Sequence, residues 1–389
     1  MAKFEAGKYL ELFRRELLEH VIPFWLEHSL DREMGGYFTC LERDGRVYDT
    51  TKYMWLQSRQ VWMLSRLYNT LEKNDRWLEA ARLGCEFIKK YGRDSSGRVY
   101  FSLTREGRPL FIQRKVFAEC FYIMALDEYS RAVEDKQIKQ EAVELFGKFL
   151  EWSDNPVLLG RPVLEGQKPA SSLALAMSAL WIADQLGEGG SEEPYRPLIE
   201  KSVREILLHR IPEKKIVLEN VAPDGTLLDS PEGRLMNPGH AIEAGWFVLE
   251  EARKSGDEEI KKQALQMIEW SFEKGWDTRH GGIFYFLDAE GFPPMQLEWF
   301  MKLWWPHCEA IYAFLSAYRE TGEKRFADYF GQVVDYAFSR FSDPGFGEWY
   351  GYLDRQGRPT HTLKGGPYKG CFHVPRFLLL SIGMLEKMV

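Results

Sequence analysis

The sequence has little cysteine and no cysteine pattern. Among 389 residues there are five cysteines, an odd number, and no two of them form a Cys-x-x-Cys pair. Disulfide-rich secreted domains and most structural zinc sites depend on closely spaced, paired cysteines, so both classes are disfavoured. Reduced thiols are typical of the cytoplasm, and we expect a cytoplasmic protein.

Long hydrophobic runs and clusters of positive charge are also missing. No stretch of 18 apolar residues occurs, and the charged, amphipathic first twenty residues lack the apolar segment of a signal peptide. The formal net charge is −7, without a long basic run. Nucleic acid and membranes are therefore not expected as partners. What is present is 45% hydrophobic and 14% aromatic residues, enough for a large packed core.

One eight-residue phrase recurs, beginning with Asp and ending with an aromatic residue. It reads DREMGGYF, DSSGRVYF, DTRHGGIF and DPGFGEWY, starting at Asp31, Asp94, Asp277 and Asp343. A second phrase follows nine or ten residues after each Asp and has Gly at its fifth position: LERDGR, LTREGR, LDAEGF and LDRQGR. Alternating apolar residues followed by x-Gly predict short β-hairpins or tight turns.

The repeat predicts the fold. A weaker copy lies at Ile211–Thr226, and we expect a degenerate one near Asn155–Gly166, which gives six units of roughly 60 residues. Paired segments with apolar spacing of three and four follow the hairpins, for example Tyr53–Lys73 and Arg76–Gly92, and predict two helices per unit. Near-equal units without polar terminal repeats favour a closed ring. We therefore expect an all-α fold, an (α/α)6 toroid of six helical hairpins with short β-hairpins on one rim, as one domain over residues 1–389. A two-domain helical protein is the alternative.

Ionisable residues recur at one phase of the repeat. Residues 25 to 30 positions after each unit start should face the same central place. This phase contains Arg59, Glu119, His240, His307 with the nearby Glu309, and His373, whereas the third unit offers only Ser171 and Ser172. Such residues predict a functional cavity in the ring.

The local spacing adds detail to these candidates. His240 and Glu243 share one helical face, either as a structural tether or as a base with its orienting group. His307 and Glu309 are two residues apart, so both cannot point into the cavity. Asn237-Pro238 and Pro306 are typical of helix starts. Because the N-terminal end of a helix disfavours added positive charge, we expect lowered pKa values for His240 and His373.

Cofactor motifs are not found. No HxH or HExxH spacing accompanies the histidines, so we expect no metal site. The glycine run Gly187–Gly190 lacks the Lys-Ser/Thr of a phosphate-binding loop and is interpreted as a turn.

Several long motifs resemble the N-acylglucosamine 2-epimerase family, whose animal members were also called renin-binding proteins. They are TTKYMWLQSRQVWMLSRLY, QRKVFAECFY, NPGHAIEAGWF, QLEWFMKLWWPHCEA, GEWYGYL and KGGPYKGCFHVPR. The resemblance extends from about Trp25 to Arg376 and is weakest at Ser153–Ser202. It implies a cytosolic homodimer with an (α/α)6 barrel that interconverts N-acetyl-D-glucosamine and N-acetyl-D-mannosamine, with ATP as an activator that is not consumed.

The resemblance also implies roles for particular residues. The family's acid/base histidines correspond to His240 and His373, its pocket arginine to Arg59, and its glutamate in the WPHxEA motif to Glu309. The chemistry agrees, because inverting C2 of an open-chain aldose needs one base to remove the C2 proton and one acid to return it on the other face. Arg59, with Glu309 or His307, would stabilise the oxyanion, and Glu243 would orient a histidine.

Three other functions remain open at this point. A 2-epimerase or aldose–ketose isomerase of unmodified mannose or glucose would use the same histidines. A glycoside hydrolase on an α/α toroid would need two carboxylates flanking one bond, for which Glu119, Glu243 and Glu309 are candidates. A non-catalytic binding scaffold would leave the in-phase acid/base residues unexplained.

Overall fold

The computed structural model describes residues 4–188 and 192–389, and helices dominate it. Gly189 and Gly190 of the glycine run lie outside the described residues. The α-helices of the described chain are α1 (Ala6–Arg15), α2 (Ile22–His28), α3 (Met54–Thr70), α4 (Asp75–Tyr91), α5 (Phe117–Val133), α6 (Lys136–Asp154), α7 (Leu173–Gly187), α8 (Arg196–Leu207), α9 (Pro238–Ser255), α10 (Glu258–Gly275), α11 (Trp304–Thr321), α12 (Lys324–Arg340) and α13 (His373–Leu385). A π-helix, Glu16–Val21, joins α1 to α2, and a 3-10 helix spans Pro156–Leu159.

The helices form two concentric rings. Helices α3, α5, α7, α9, α11 and α13 contact one another in that order, and α13 returns to α3, so the inner ring is closed. These helices are buried on most faces, as in α11, where residues 304 to 317 are all buried. Outer helices are amphipathic: α4 buries Trp77, Ala81 and Ile88 and carries charged residues on its other face. The structure confirms the predicted (α/α)6 toroid.

The sixth helical pair differs from the expectation of two helices after each hairpin. After the last hairpin only α13 follows, and its outer partner is α1, from the other end of the chain. Phe13 of α1 packs edge-on against Phe377 of α13, with ring centroids 5.7 Å apart. The pair that completes the toroid therefore joins the first and last helices.

Short strands cover the rim at which the inner helices begin. They are β1 (Cys40–Leu41), β2 (Val47–Asp49), β3 (Lys52–Tyr53), β4 (Ser102–Leu103), β5 (Pro109–Phe111), β6 (Ser171–Ser172), β7 (Arg210–Ile211), β8 (Ile216–Val217), β9 (Asn220–Val221), β10 (Leu235–Met236), β11 (Leu287–Asp288), β12 (Lys302–Leu303) and β13 (Tyr352–Leu353). Local antiparallel hairpins are β1–β2, β4–β5 and β7–β8. Antiparallel pairs also join neighbouring units: β3–β4, β6–β9, β10–β11 and β12–β13.

The second phrase forms the predicted tight turns. Its glycine has a φ between 81° and 88° in all five copies, at Gly45, Gly107, Gly225, Gly291 and Gly357. This left-handed conformation favours glycine, which explains why the fifth position never changes within the chain. The expected degenerate copy near Asn155–Gly166 contains the 3-10 helix instead of a hairpin.

The Asp of the first phrase joins adjacent units. Asp31 forms ion pairs with Lys52 of its own unit, at 2.9 Å, and with Arg105 of the next unit, also at 2.9 Å. Its Oδ1 also accepts hydrogen bonds from the main-chain N–H groups of Glu33 and Met34. Asp31 thus fixes its own turn and binds the neighbouring unit.

The same arrangement recurs at the two later copies of the phrase. Asp277 pairs with Lys302 and Arg355, and Asp343 pairs with Lys364 and Arg43. Because Arg43 belongs to the first unit and Asp343 to the last, this ion pair closes the rim of the ring. No helix in the described residues is both long and apolar enough to cross a membrane.

Candidate active site

A cavity of about 650 Å³ opens at the hairpin rim, within the N-terminal halves of the inner helices. All six inner helices contribute residues to its wall. Four of the candidates named from the sequence line it together: Arg59, His240, Glu243 and His373. Aromatic side chains surround them, among them Trp55, Phe121, Tyr285, Trp305, Tyr352 and Phe372.

His240 is held at one ring nitrogen. Asn237 caps helix α9, and its side-chain oxygen accepts a hydrogen bond from the His240 main-chain N–H at 3.2 Å. The Nδ1 atom lies 3.0 and 3.1 Å from the two carboxylate oxygens of Glu219, in the connection between β8 and β9. A carboxylate only accepts, so Nδ1 carries the proton of this hydrogen bond. Nε2 makes no hydrogen bond within the described chain and is free to act on a ligand.

His373 is held in the same way by a different carboxylate. It is the first residue of α13, and its Nδ1 lies 2.7 Å from Oε1 of Glu309 on α11. Nδ1–H therefore donates to Glu309, and the lone pair of Nε2 is left without a partner among the described residues. Each histidine thus presents one free nitrogen to the same cavity.

Arg376 connects the carboxylates beneath His373. Its Nη2 donates to Glu243 and lies 2.6 Å from Oε1 of Glu309. The indole Nε1 of Trp246 donates to the other oxygen of Glu309 at 3.0 Å. Glu309 therefore interacts with the guanidinium of Arg376 and with two neutral donors, Trp246 and His373. It fixes the orientation of His373, but its negative charge is not paired with His373 alone.

Arg59 is a cation without a carboxylate partner in the described chain. Its guanidinium lies over the rings of Phe121, Trp55 and Phe372, with carbon-to-centroid distances of 3.9, 4.5 and 4.7 Å. Its buried Nε has no hydrogen-bond partner. Burial, and next the charge of Arg376, lower the pKa of Arg59 to about 9, so the group is still cationic at neutral pH. Aromatic faces hold this charge in place while leaving its N–H groups available to a ligand oxygen.

Trp305 lies beside both histidines. Its ring centroid is 5.1 Å from that of His240 and 5.8 Å from that of His373, tilted by 41° and 39°. One rigid indole therefore sets the separation of the two imidazoles across the cavity.

Glu119 and His307, which share the predicted phase, do not line the cavity. Glu119 accepts from Arg98 at 2.6 Å and from the Val99 main-chain N–H at 3.1 Å. His307 accepts from the Ile283 N–H at 2.9 Å and donates to the Leu303 carbonyl at 2.6 Å, and burial lowers its pKa to about 3. Both side chains fix the rim rather than face a ligand. Glu309 also stands behind His373 and not in the cavity wall.

The pKa expectation from the helix dipole was wrong for His240. Burial disfavours its charged form, but the charge and hydrogen bond of Glu219, followed by the charges of Glu243 and Glu309, together outweigh burial, and the pKa of His240 is raised. For His373 the expected direction holds: burial, followed by the charges of Arg59 and Arg376, lowers its pKa well below the usual value. Relative to an ordinary histidine, the surroundings favour the imidazolium form of His240 and the neutral form of His373.

The sequence reasoning missed two residues of this site, Glu219 and Arg376. Arg376 stands three residues after His373 on the same helical face, a spacing that would have suggested it. Glu219 lies in a connection between strands, 21 residues before His240, where no periodic signal marks it.

Ligand atoms of Glu243, Glu309 and His373 all lie within 4.8 Å of one another, which is close enough to hold a metal ion. However, the guanidinium of Arg376 already binds both carboxylates, and Nδ1–H of His373 donates to Glu309. A cation would have to displace an arginine there, so these residues do not form a ready metal site.

Fold and cavity together define an α/α-toroid protein whose central cavity is lined by two histidines, each held at Nδ1 by a carboxylate, and by an arginine without a carboxylate partner in the described chain. Residues 36–374 match the family model described as N-acylglucosamine 2-epimerase (GlcNAc 2-epimerase). The chain belongs to this family.

Individual relatives agree. The chain is 47% identical over 380 residues to the N-acylglucosamine 2-epimerase of Bos taurus, covering 96% of this chain and 90% of the relative. It is 46% identical over 376 residues to that of Homo sapiens, covering 95% and 88%. The solved structure of cellobiose 2-epimerase from Bacillus thermoamylovorans superposes with a TM-score of 0.82 at 22% identity, covering 97% of this chain and 99% of that one.

Proposed function

We propose that this protein is an isomerase that inverts C2 of N-acetyl-D-glucosamine and N-acetyl-D-mannosamine through the open-chain sugar. The observation that carries the proposal is the pair His240 and His373, each fixed at Nδ1 by a carboxylate and open at Nε2 on one cavity. Identity of 46–47% with enzymes of that name over nearly the whole chain supports the substrate class.

The geometry performs the reaction in two proton transfers. Nε2 of neutral His373 removes the C2 proton, and the electron pair of the C–H bond forms the C1–C2 double bond while the carbonyl electrons move to O1. Arg59, which has no carboxylate of its own, stabilises the negative charge on O1. Nε2–H of protonated His240 then returns a proton to the opposite face of C2. The reverse reaction exchanges the two roles.

Hydrolysis fits the site less well. A glycosidase needs two carboxylates on opposite sides of the scissile bond. Here Glu243 and Glu309 bind the same guanidinium of Arg376, and Glu119 lies outside the cavity. A non-catalytic binding scaffold would not require two histidines with free Nε2 atoms on one cavity, so it does not explain this arrangement.

The remaining properties implied by the family belong to the same proposal. They are a single catalytic domain over residues 1–389, a homodimer, a cytoplasmic location and an ATP molecule that activates without being consumed. Five buried, unpaired cysteines support a reducing location.

Proton NMR of N-acetyl-D-glucosamine in D2O tests the function directly. We expect N-acetylmannosamine with deuterium at C2, and loss of this exchange in His240→Asn and His373→Asn. His280→Asn, outside the cavity, is the matched control and should retain activity. Parallel samples with ATP and with D-mannose test the activator and the unmodified-sugar alternative. If only mannose reacts, the substrate is wrong; if no sugar exchanges deuterium, the proposed reaction is wrong.

A further inference from the structure

We propose that Glu219 is a positioning residue that keeps the transferable proton on His240 in the resting enzyme, so that His373 acts first as the base. The proposal rests on the epimerase function above. It concerns a residue that lies behind a histidine and not in the cavity wall.

The two histidine–carboxylate pairs differ in whether the carboxylate also binds other groups. Both histidines donate Nδ1–H to a carboxylate, Glu219 for His240 and Glu309 for His373. Glu309 also binds Arg376 at 2.6 Å and Trp246 at 3.0 Å. Glu219 makes no other ion pair within residues 4–188 and 192–389, so no second cation is paired with its carboxylate.

The other charged groups around His240 do not replace Glu219. Glu243, on the same helix, and Glu309, on α11, also favour the protonated imidazole. However, the guanidinium of Arg376 binds both of them and offsets one of their two negative charges, and neither carboxylate is hydrogen-bonded to His240. The N-terminal end of α9 opposes a positive charge at His240. On the other side of Trp305, the charges of Arg59 and Arg376 act against protonation of His373.

Glu219 is also held rigidly. Its main-chain N–H donates to the Leu235 carbonyl at 2.8 Å, and its own carbonyl accepts from the Leu173 N–H at 3.0 Å. These two bonds attach it to the strand before α9 and to the first residue of α7. Its side chain is 12% exposed. Because both its main-chain N–H and its carbonyl are hydrogen-bonded, Glu219 can hold the imidazole in one orientation throughout the reaction.

Each turnover reverses the protonation of the histidine pair. One conversion moves the C2 proton to Nε2 of His373 and the proton of His240 Nε2 to C2, so the enzyme ends with the opposite protonation of the pair. The proton on His373 leaves to solvent, and His240 takes one from solvent, before the same direction can run again. Glu219 supplies the negative charge that favours this return.

The test compares Glu219→Gln, Glu219→Asp and Glu213→Gln. Glutamine can still accept Nδ1–H but carries no charge, and Glu213 is an exposed residue of the neighbouring β7–β8 turn. The pKa of His240 is measured by NMR with labelled histidine, its signal being identified by its loss in His240→Asn. The pH dependence of kcat/KM for N-acetyl-D-glucosamine is measured in parallel, since its limbs report the free enzyme.

In Glu219→Gln we expect the pKa of His240 and the basic limb of the kcat/KM profile to fall by about one pH unit or more, which is roughly a tenfold loss of activity above that limb. The acidic limb should stay in place, and Glu219→Asp and Glu213→Gln should keep the wild-type limbs. An unchanged His240 titration, or a loss of activity equal at every pH, would overturn the proposal. If the wild type does not epimerise the sugar, the function is wrong, while the NMR titration still decides the role of Glu219.

Discussion

At the scale of single residues, Arg376 is the group on which the arrangement behind His373 depends. It is 1% exposed, and its guanidinium binds Glu243 and Glu309 together. A buried carboxylate that loses its cation is left with an uncompensated charge, which costs more than the ion pair contributed. Glu309 also accepts a hydrogen bond from His373, so Arg376 stabilises the carboxylate that orients this histidine.

We therefore expect Arg376→Met to lower the free energy of unfolding by about 3–5 kcal/mol, measured by urea denaturation. Arg358→Met is the matched control, since Arg358 forms an exposed pair with Asp354, and it should change stability by less than about 1 kcal/mol. Equal losses in the two variants would show that the buried network is not the source of the effect.

The sequence could predict which residues of the inner helices lie level with the cavity along the helix axis. It could not predict in which direction their side chains point. Arg59, His240 and His373, which share one phase of the repeat, line the same cavity in the structure. One residue along a helix is a rotation of about 100°, so Glu119 turns away where Ala118 and Cys120 line the cavity. A period of roughly 60 residues does not resolve such a rotation, and the partner Glu219 lies outside any helix.

At the scale of elements, the residue that caps the N-terminus of α9 also fixes a residue of the cavity. Asn237 is the cap of this helix, and the N–H that it binds belongs to His240. The outer helix α10 has a comparable cap, Asp257, whose side chain accepts from the Glu259 and Ile260 N–H groups at the exposed surface. The cap of α9 thus fixes a residue of the cavity, whereas the cap of α10 fixes residues at the surface.

We expect Asn237→Ala and Asp257→Ala each to destabilise the protein by about 1 kcal/mol in thermal or urea unfolding. Only Asn237→Ala should also lower kcat, because the main chain that carries His240 is then less well fixed. Reduced kcat in both variants would mean that general loosening, and not the position of His240, limits the reaction.

The helix pairs and turns could be predicted from apolar spacing and from the glycines of the second phrase. The pairing of strands between units could not, since β3–β4 and β12–β13 join residues about 50 positions apart through ladders of two residues. The outer role of α1 was also missed. Nothing in its residues repeats the phrases that marked the other units.

At the scale of the whole molecule, the ion pairs of the rim make the ring sensitive to acid. Burial alone would raise the pKa of Asp343, but hydrogen bonds from Arg43 and Lys364 outweigh it and hold that pKa well below its usual value. The pKa of Asp31 is lowered in the same way by Arg105 and Lys52 against burial. A lowered folded pKa gives stability that is complete above the unfolded value of about 3.9 and is lost as the pH falls below it.

Asp343→Asn should therefore be less stable than the wild type at pH 7 and should lose less further stability between about pH 5 and pH 2. Urea unfolding at a series of pH values measures both effects. Asp328→Asn, which alters an exposed pair within α12, should keep the wild-type slope. Parallel curves for wild type and Asp343→Asn would contradict the role of the closing ion pair.

The pairing of α1 with α13 also has a consequence for the order of events during synthesis. Helix α1 is synthesised before α13, so the inner ring cannot close until α13 has been made. His373 is the first residue of that helix, and Arg376 follows within one turn. A nascent chain can thus assemble five of its helical pairs, including His240 with Glu219, while still lacking His373. The cavity therefore receives its second histidine only when α13 packs between α1 and α3.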